Sequence, residues 1–394
     1  MNHRIFPFYI IFYLMIGLSC DTKNNIAPLY NKTFIKLYGD ADVDQACDFI
    51  ALENGGYAII GTTRNIGVSS SLDVLFILTD SIGNIIQQKK LGDPSADEVP
   101  LRLVYNKNNS EYIICGNSSD QSGNQEGFLW KVKPDQDSIS SSQYFPDTKF
   151  SDMTTSADGQ SLALTGTVTS GNTSYIAEKL INDVDYSLVG DDQSTQVGSG
   201  IKVGQSTIPE LYQILNYDAS GLINIKIADM QSEPNHFFYS GLIGDTAAIN
   251  NLAIDLIHRV DNGNFYVLGY CETQGPFISE VTAGTVSGNH YLGINKDLMP
   301  AVLFGTNDGF LVLGSTQLSV SGSSTNIRLL HLDFNYNIVS DRTFGTNTGD
   351  AGVKMAVLPD KSVVFLATVN YQQGRSNNTK IALYKLSPGL DLDF

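Results

Sequence analysis

The chain has 394 residues, a formal net charge of -17, and 42% hydrophobic but only 16% charged residues. An acidic surface repels phosphate backbones, and no cluster of lysine and arginine with interleaved aromatic residues offsets this repulsion, so we expect no nucleic-acid partner. Glycine, serine, asparagine and aspartate are abundant and long stretches of helix-forming residues are absent, which favours an all-β protein of many short strands.

Residues 1–20 have the pattern of an export signal. A short basic start precedes an apolar run from Ile5 to Leu18, and the small residue Ser19 stands before Cys20. The run is too short to cross about 30 Å of hydrocarbon as a helix, but it suits the core of a signal peptide. We therefore expect the chain to be exported.

The residues around Cys20 resemble a bacterial lipobox, in which the cysteine becomes the lipidated first residue of the mature protein. Gly17 stands where the lipobox usually has leucine, and Leu18 follows it. Ordinary cleavage, with Cys20 inside the signal, is the alternative. If Cys20 is lipidated, residues 21–32 form a polar tether, and residues 33–394 lie at the outer membrane or cell surface without crossing the bilayer.

Three further cysteines, Cys47, Cys115 and Cys271, are widely spaced and form no C-x-x-C motif. Each lies in an apolar, strand-like context, so we interpret them as small buried hydrophobic residues. A disulfide between one pair is the alternative, and the sequence does not identify the pair.

A repeat of about fifty residues organises the rest of the chain. Each unit contains an apolar strand that follows a turn, as in "GYAIIG" and "GFLVLG". These strands end at Gly61, Gly116, Gly166, Asn216, Gly269, Gly314 and Ala367, with spacings of 55, 50, 50, 53, 45 and 53 residues. The regular period predicts seven structural units.

The segments within a unit predict four strands. In the first unit, "ACDFIAL", "YAIIGTT", "LDVLFIL" and "IIQQKKLG" are rich in β-branched, aromatic and aliphatic residues and are separated by turn residues. Four antiparallel strands repeated seven times predict a seven-bladed β-propeller, because radial stacking of twisted sheets buries their faces and leaves only short edges. An open solenoid is the structural alternative.

The two ends of the repeat region complement each other. The last unit has a third strand at Lys380 to Ser387, and only "PGLDLDF" follows it. The segment "TFIKLYG", from Thr33 to Gly39, has the pattern of a fourth strand but precedes the first unit. We predict that Thr33 to Gly39 pairs with Lys380 to Ser387, so that an N-terminal strand completes the last blade and closes the ring.

The residue pattern of the repeat resembles that of a known family. "DADVDQACDFIALENGGYAIIGTT" followed by "LDVLFILTDSIGNIIQQKKLG" is similar to the propeller repeat of secreted bacterial proteins and lipoproteins, in which a D-x-G-G-Y-x-x-x-G strand precedes a D-x-x-L-x-K-x-D-x-x-G-N hairpin. It is loosely similar to kelch blades, although their paired glycines and blade-ending tryptophan are missing. The resemblance implies the fold and an envelope location, and little about activity.

The connections between strands fall into two classes. Those joining first to second and third to fourth strands are short turns such as "ENGG" and "DSIGN". Those joining second to third strands are longer and varied: "RNIGVSSS", "SDQSGNQE", "QLSVSGSST" and "QQGRSNNT". In a propeller the two classes lie on opposite faces, and the longer loops predict the working face.

Four aspartates recur where blades enter their innermost strands, four or five residues after a glycine: Asp44, Asp97, Asp297 and Asp350. One hypothesis is a ring of carboxylates at the channel mouth that binds Ca²⁺ or a polyhydroxylated ligand, since hard oxygen ligands suit Ca²⁺. The alternative is that each aspartate accepts backbone N–H bonds and shapes its own loop.

Catalytic signatures are absent from the sequence, which contains no G-x-S-x-G elbow, H-E-x-x-H pair or Gly-Lys phosphate loop. The sequence identifies no catalytic residue and no organic cofactor. We therefore expect a non-enzymatic binding or protein-interaction module of the bacterial envelope, with an envelope protein or a glycan as its partner. The alternatives are a propeller enzyme acting on carbohydrate at the channel mouth and a structural subunit of an outer-membrane assembly.

Overall fold

The computed structural model describes most of the region that carries the repeat. The described residues are 33–40, 43–65, 71–156, 159–182, 185, 187–205, 211–218, 223–229, 243, 251–282, 285–294, 297–317, 325–345, 349–373 and 376–392. These residues form strands, turns and bends without any helix, so the all-β prediction is confirmed. The export signal of residues 1–20, with Cys20, and the tether of residues 21–32 lie outside the described residues.

The described strands number 26, and most have five to eleven residues. In the first half they are Phe34–Tyr38 (β1), Val43–Ala51 (β2), Tyr57–Arg64 (β3), Asp73–Thr79 (β4), Ile85–Leu91 (β5), Ala96–Asn106 (β6), Glu111–Asp120 (β7), Gln125–Val132 (β8), Ile139–Pro146 (β9), Thr148–Thr155 (β10), Ser161–Ser170 (β11), Thr173–Asn182 (β12) and Leu188–Gln205 (β13). In the second half they are Leu211–Asp218 (β14), Ile223–Asp229 (β15), Asn251–Arg259 (β16), Asn264–Cys271 (β17), Gly275–Thr282 (β18), Thr285–Tyr291 (β19), Leu298–Thr306 (β20), Gly309–Gln317 (β21), Thr325–Leu332 (β22), Ile338–Phe344 (β23), Ala351–Val357 (β24), Val363–Gln373 (β25) and Ser376–Leu386 (β26).

The strands assemble into consecutive antiparallel sheets in a propeller-like arrangement. Three sheets have four strands each, in the orders β6-β7-β8-β9, β16-β17-β18-β19 and β20-β21-β22-β23. A fourth sheet joins β10 to β15 in sequence order, and a fifth joins β24, β25 and β26 to β2, β3, β4 and β5, with β1 paired to β26.

These described strands thus form five hydrogen-bonded sheets, whereas the sequence predicts seven separate ones. One fusion arises because β13 has 18 residues, pairing with β12 through its first part and with β14 through its second. The other arises from a single parallel pair, Val43 with Thr379, between β2 and β26.

The core lies between neighbouring sheets. Every residue of β4 is buried, whereas β5, at the outer edge of the same sheet, exposes Ile85 and Ile86. Phe76 in β4 packs against Tyr112 in β7 of the next sheet, with ring centroids 5.1 Å apart. Because second and third strands are covered on both faces, they read as continuous apolar runs, and full burial of each large side chain contributes about 1.5–3 kcal/mol.

The predicted closing strand is confirmed. β1 pairs antiparallel with β26, in register from Phe34 opposite Lys385 to Tyr38 opposite Ile381. The Tyr38 hydroxyl also donates to the Gly83 carbonyl at 2.8 Å, in the turn between β4 and β5. Residues from the start of the chain therefore complete the set of strands at its end.

The prediction of long loops is wrong at two of the four connections. β7 continues to Asp120 and β8 begins at Gln125, and β25 and β26 are separated only by residues 374 and 375. The polar residues that suggested loops continue the ladder, because Ser119 pairs with Gln125 and Asn370 with Thr379. The other two connections lie partly outside the described residues, at 66–70 and 318–324.

A repeated aspartate turn closes several hairpins. Asp80 accepts the backbone N–H groups of Ile82 at 3.0 Å and Asn84 at 2.7 Å, and its second oxygen accepts the Asn84 side-chain amide at 3.0 Å. The same three bonds recur around Asp120 and Asp333. The aspartate and the asparagine four residues later thus fix the turn that the D-x-x-G-N pattern predicts.

The three cysteines among the described residues are free thiols. Cys115 and Cys271 are buried, as predicted, while Cys47 is half-buried. Burial raises the pKa of the Cys47 thiol to about 12, so it stays protonated. No helix long and apolar enough to cross a membrane occurs among the residues that the structure describes.

The closing strand gives a stability prediction. Tyr38 is 2% exposed, and its neighbour Leu37 is 46% exposed on the same strand. We expect Tyr38→Ala to lower the free energy of unfolding by about 3 kcal/mol or more, and Leu37→Ala by less than about 1 kcal/mol. Urea denaturation measures both. Equal losses in the two variants would contradict the closure.

Candidate functional site

The first strand of each set carries the same irregularity. In seven strands the register slips by one residue against the second strand, which is a β-bulge. The slips lie between Ala46 and Asp48 in β2, Pro100 and Arg102 in β6, Phe150 and Asp152 in β10, Gly200 and Lys202 in β13, Ala253 and Asp255 in β16, Pro300 and Val302 in β20, and Gly352 and Lys354 in β24.

These bulged strands contact one another in a closed order. β2 contacts β6, and the series continues through β10, β13, β16 and β20 to β24, which contacts β2 again. The bulged strands therefore surround a common centre, which we call the central channel. Because a bulge re-aims the side chain beside it, the residue after each slip occupies an equivalent position.

The residues at this position alternate in charge. In chain order they are Asp48, Arg102, Asp152, Lys202, Asp255, Val302 and Lys354. We call them the charged ring. Three carboxylates and three cations give the ring a formal charge of zero, although the whole chain carries -17.

Each ring carboxylate bonds to the backbone of the next bulged strand. Oδ2 of Asp48 accepts the Leu103 N–H at 2.9 Å, and the same oxygen of Asp152 accepts the Val203 N–H at 3.0 Å. Asp255 accepts the N–H of Leu303 at 2.8 Å. The three aspartates are 2%, 1% and 3% exposed, so these bonds replace water almost completely.

The ring cations neutralise these buried carboxylates. Arg102 Nε contacts Asp152 Oδ1. Lys202 Nζ lies 3.7 Å from Asp152 Oδ2 and 3.1 Å from Asp255 Oδ1. Lys354 Nζ lies 3.3 Å from Asp48 Oδ1, which joins the last bulged strand to the first. A buried carboxylate without such partners would be strongly destabilising.

The charged groups of the ring shift one another's pKa values, including between strands that are not neighbours. Burial opposes ionisation of Asp152, but the charges of Arg102, Lys202 and Lys354 outweigh it and hold its pKa below the usual range. Burial also opposes the charge on Arg102, but the neighbouring carboxylates outweigh this effect and raise the pKa of Arg102 above its usual value. For Lys354, burial dominates and lowers the pKa; Arg102 and Lys202 add to this, while Asp48 opposes it.

An odd number of positions prevents strict alternation around a closed ring. Val302 stands where the pattern fails, between Asp255 and Lys354. Arg102 and Lys202 each follow and precede an aspartate, whereas Lys354 has an aspartate on one side only. Lys354 is therefore the least compensated charge in the ring.

The charged ring was not predicted from the sequence. The repeat aligns on a residue of the second strand, such as Gly61, which pairs with Ala46. The residue two places after Ala46 is Asp48, so alignment of the paired first strands would have revealed the alternation. Each strand contributes a single residue to the ring, so the alternation of charge cannot be seen in the sequence without that register.

The predicted aspartate ring behaves differently at its four positions. Asp44 is fully buried, accepts the Thr63 hydroxyl at 2.7 Å, and lies 3.0 Å from Lys380 Nζ. Asp97 accepts the Leu72 N–H at 2.7 Å, and Asp350 accepts the Asn370 N–H at 2.9 Å.

Asp297, the fourth predicted aspartate, is exposed. Side chains of His, Cys, Asp and Glu form no group of three or more that could hold a metal ion within the described part of the chain. Asp97 and Asp350 thus accept backbone N–H groups, as in the alternative interpretation, but each donor lies at least 20 residues away along the chain. The described partners of Asp44 are side chains. The Ca²⁺ site stays a prediction.

An acidic cavity opens on the face that carries the second-to-third strand connections. Its volume is about 570 Å³, and it lies beside the turn from Asp120 to Asn124 and the connection that leads into β6. Its lining includes five carboxylates: Asp93, Glu98, Asp120, Glu126 and Asp147. Tyr144 also lines it, and no lysine or arginine is among the described lining residues.

Glu98 has an unusual environment in the cavity wall. It is 2% exposed, and its Oε1 accepts the Asp93 N–H at 3.0 Å. Its Oε2 has no hydrogen-bond partner among the described residues, and a Cβ on Gly92 would meet both this oxygen and Asp73 Oδ1. Burial, reinforced by nearby Asp73 and Asp93, raises the pKa of Glu98 to about 7.

Comparison with known proteins identifies the fold alone. No known family model matches the sequence, and no curated protein matches it. The polysaccharide lyase Uly1 aligns with a TM-score of 0.56 at 9% identity, over 89% of this chain and 91% of its own. Raptor from Chaetomium thermophilum aligns with a TM-score of 0.56 at 11% identity, over 91% of this chain and 30% of its own.

A prolyl endopeptidase aligns with a TM-score of 0.52 at 11% identity, over 88% of this chain and 49% of its own. The chain thus spans about half the length of the endopeptidase and under a third of Raptor. These likenesses support the propeller-like arrangement.

The charged ring predicts a large effect from one neutral replacement. Asp152→Asn keeps an acceptor for the Val203 N–H but leaves Arg102 and Lys202 without their shared carboxylate. We expect a loss of about 3–5 kcal/mol in urea denaturation at pH 7. The control Asp341→Asn, at the exposed pair with Arg328, should cost less than about 1 kcal/mol.

The stabilisation from Asp152 should depend on pH. Because its folded-state pKa is depressed, the stabilisation is present above the unfolded value of about 3.9 and is lost as the pH falls through the folded value. Asp152→Asn should therefore lose less stability than the wild type on acidification below that point. A parallel loss in both proteins would contradict the ion pairing.

Glu98 gives the opposite pH dependence. Its folded-state pKa is raised, so its contribution is fully present below the unfolded value and is lost as the pH rises through about 7. Between pH 4.5 and 8 we expect this group to lower wild-type stability by ~3 kcal/mol, and Glu98→Gln to remove that decline. Glu126→Gln, in the same cavity, is the control that should keep the wild-type slope.

Proposed function

We propose that this chain is an exported, lipid-anchored β-propeller of seven blades that binds a ligand at the face bearing the acidic cavity. In this proposal it acts as a binding or protein-interaction module of the bacterial envelope. Its partner is an envelope protein or a glycan, and the body lies at the outer membrane or cell surface.

Seven blades are supported by the bulged strands. Each of the seven carries its slip at an equivalent register, and the strands contact one another in a closed order. The long β13 then belongs to two neighbouring blades, and the Val43–Thr379 pair is a contact between the first and last blades. The aspartate turns at Asp80 and Asp120, which match D-x-x-G-N, support the resemblance to the bacterial propeller repeat.

Export and anchoring rest on the sequence before β1. An apolar signal core ends just before Cys20, and residues 21–32 are rich in polar residues. The closing strand begins at Phe34, so the tether would leave the propeller beside the contact between its first and last blades. A tether of this length at this point would hold the body close to the membrane.

The acidic cavity carries the binding proposal. It is concave and places carboxylates, the Tyr144 ring and small hydroxyl groups around one volume. Such a lining suits a ligand that presents hydroxyl or cationic groups. An aromatic ring that holds a polar edge next to hydrogen-bonding acceptors is a common feature of such sites.

A second candidate function is carbohydrate chemistry in the same cavity. The observation that favours it is Glu98, a carboxyl group with a pKa near 7 beside the carboxylate of Asp73. A carboxyl group that burial keeps protonated near neutral pH is the kind of general acid that glycoside chemistry uses. The fold is shared with a polysaccharide lyase over nearly the whole of both chains, and that likeness concerns the fold.

Capture experiments with matched variants test the binding proposal. The tagged protein would be incubated with detergent-solubilised envelopes and separately with purified envelope glycans. We expect one dominant partner, and we expect its recovery to fall at least about tenfold for Glu126→Gln with Asp147→Asn.

The control is Glu53→Gln with Asp341→Asn, which changes the charge equally away from the cavity. It should retain the partner. Equal recovery by both double variants would contradict binding at the cavity, and turnover of a glycan without stable capture would favour the enzyme.

A further inference from the structure

We propose that the central channel contains a second binding site, in which Arg102, Lys202 and Lys354 of the charged ring hold a small oxyanion of the phosphate type. This site is distinct from the acidic cavity. It uses the ring cations, which the binding proposal above does not involve.

The charge presented to the channel differs from the formal charge of the ring. The three carboxylates are 1–3% exposed and direct an oxygen to the backbone of the next strand. The side chains of Lys202, Arg102 and Lys354 are 17%, 22% and 27% exposed. The ring therefore presents cations to the channel, although its formal sum is zero.

Lys354 has the weakest compensation. Like Arg102, it makes one ion pair among the described residues, with Asp48 at 3.3 Å, but Val302 takes the place of an acid on its other side. Burial and the charges of Lys202 and Arg102 disfavour its charge, and Asp48 and Asp152 offset this only in part. A bound anion would offset the remainder and supply a further negative charge.

The cations retain donors for a ligand. A lysine ammonium has three N–H donors and an arginine guanidinium has five. The described contacts engage Nε of Arg102 with Asp152 and Nη1 with the Leu101 carbonyl at 2.9 Å, which fixes the guanidinium plane. A fixed guanidinium and two ammonium groups suit the several acceptor oxygens of a tetrahedral oxyanion.

The enclosed position strengthens such binding. Charges surrounded by protein are screened less by solvent than exposed charges are, so one anion among three cations gains more here than on the surface. The excess negative charge of the chain opposes entry of an anion into the channel. Salt screens this long-range repulsion. We therefore expect the affinity for the anion at moderate ionic strength to be higher than the net charge of the protein alone suggests.

Calorimetric titration of the intact protein with inorganic phosphate tests the proposal. We expect saturable binding by the wild type, and no such binding of chloride at equal ionic strength. Lys354→Met should weaken phosphate binding at least about tenfold, whereas Lys354→Arg should retain it. The control Lys107→Met removes an exposed lysine that also pairs with one carboxylate, Glu53, and should leave binding unchanged.

Thermal unfolding provides a second measurement if Lys354→Met folds poorly. Phosphate should raise the wild-type unfolding temperature above that in chloride of equal ionic strength, with a concentration dependence that follows the measured affinity. Val302→Lys, which adds a cation at the break in the ring, should increase this shift. Absence of any difference between phosphate and chloride for the wild type, or equal weakening by Lys354→Met and Lys107→Met, would overturn the site.

Discussion

The buried carboxylate that bonds to the backbone of the next strand is the interaction on which this structure depends. Asp48, Asp152 and Asp255 each reach from one bulged strand to the next, where they accept an N–H near the centre of the molecule. A buried carboxylate needs a counter-charge, so the cations of the intervening strands become necessary as well. The bulge, the aspartate and the cation thus form one device, and its repetition joins neighbouring sheets around the channel.

The need to neutralise these carboxylates gives the ring two kinds of charged group: carboxylates that stabilise the centre, and cations that the proposed anion would contact. Charges can alternate perfectly only around an even number of positions, and the proposed ring of seven leaves one break at Val302. The carboxylates turn inward to the backbone, while the cations remain partly exposed. The acidic cavity lies elsewhere, above the connection into β6, and has the opposite charge. The two proposed sites therefore have contrasting chemistry.

The sequence predicted features that depend on local patterns. Apolar strands between aspartate and glycine turns indicated the all-β fold, and the orphan strand with Phe34 and Tyr38 indicated its pairing with β26. The ends of strands, and therefore the lengths of the loops, were mispredicted. Ser119 and Gln125 look like loop residues but pair with each other and continue a hairpin. The charged ring was missed because its members meet only after folding, and Glu98 because its unusual pKa comes from burial.

A double-mutant cycle between Asp48 and Lys354 tests the central claim most directly, because these residues lie on the first and last bulged strands and face each other only if the circle closes. Unfolding free energies would be measured for Asp48→Asn, Lys354→Met and the double variant. The account predicts a coupling energy of about 1–3 kcal/mol. Additivity within about 0.5 kcal/mol would contradict closure of the ring through these charges.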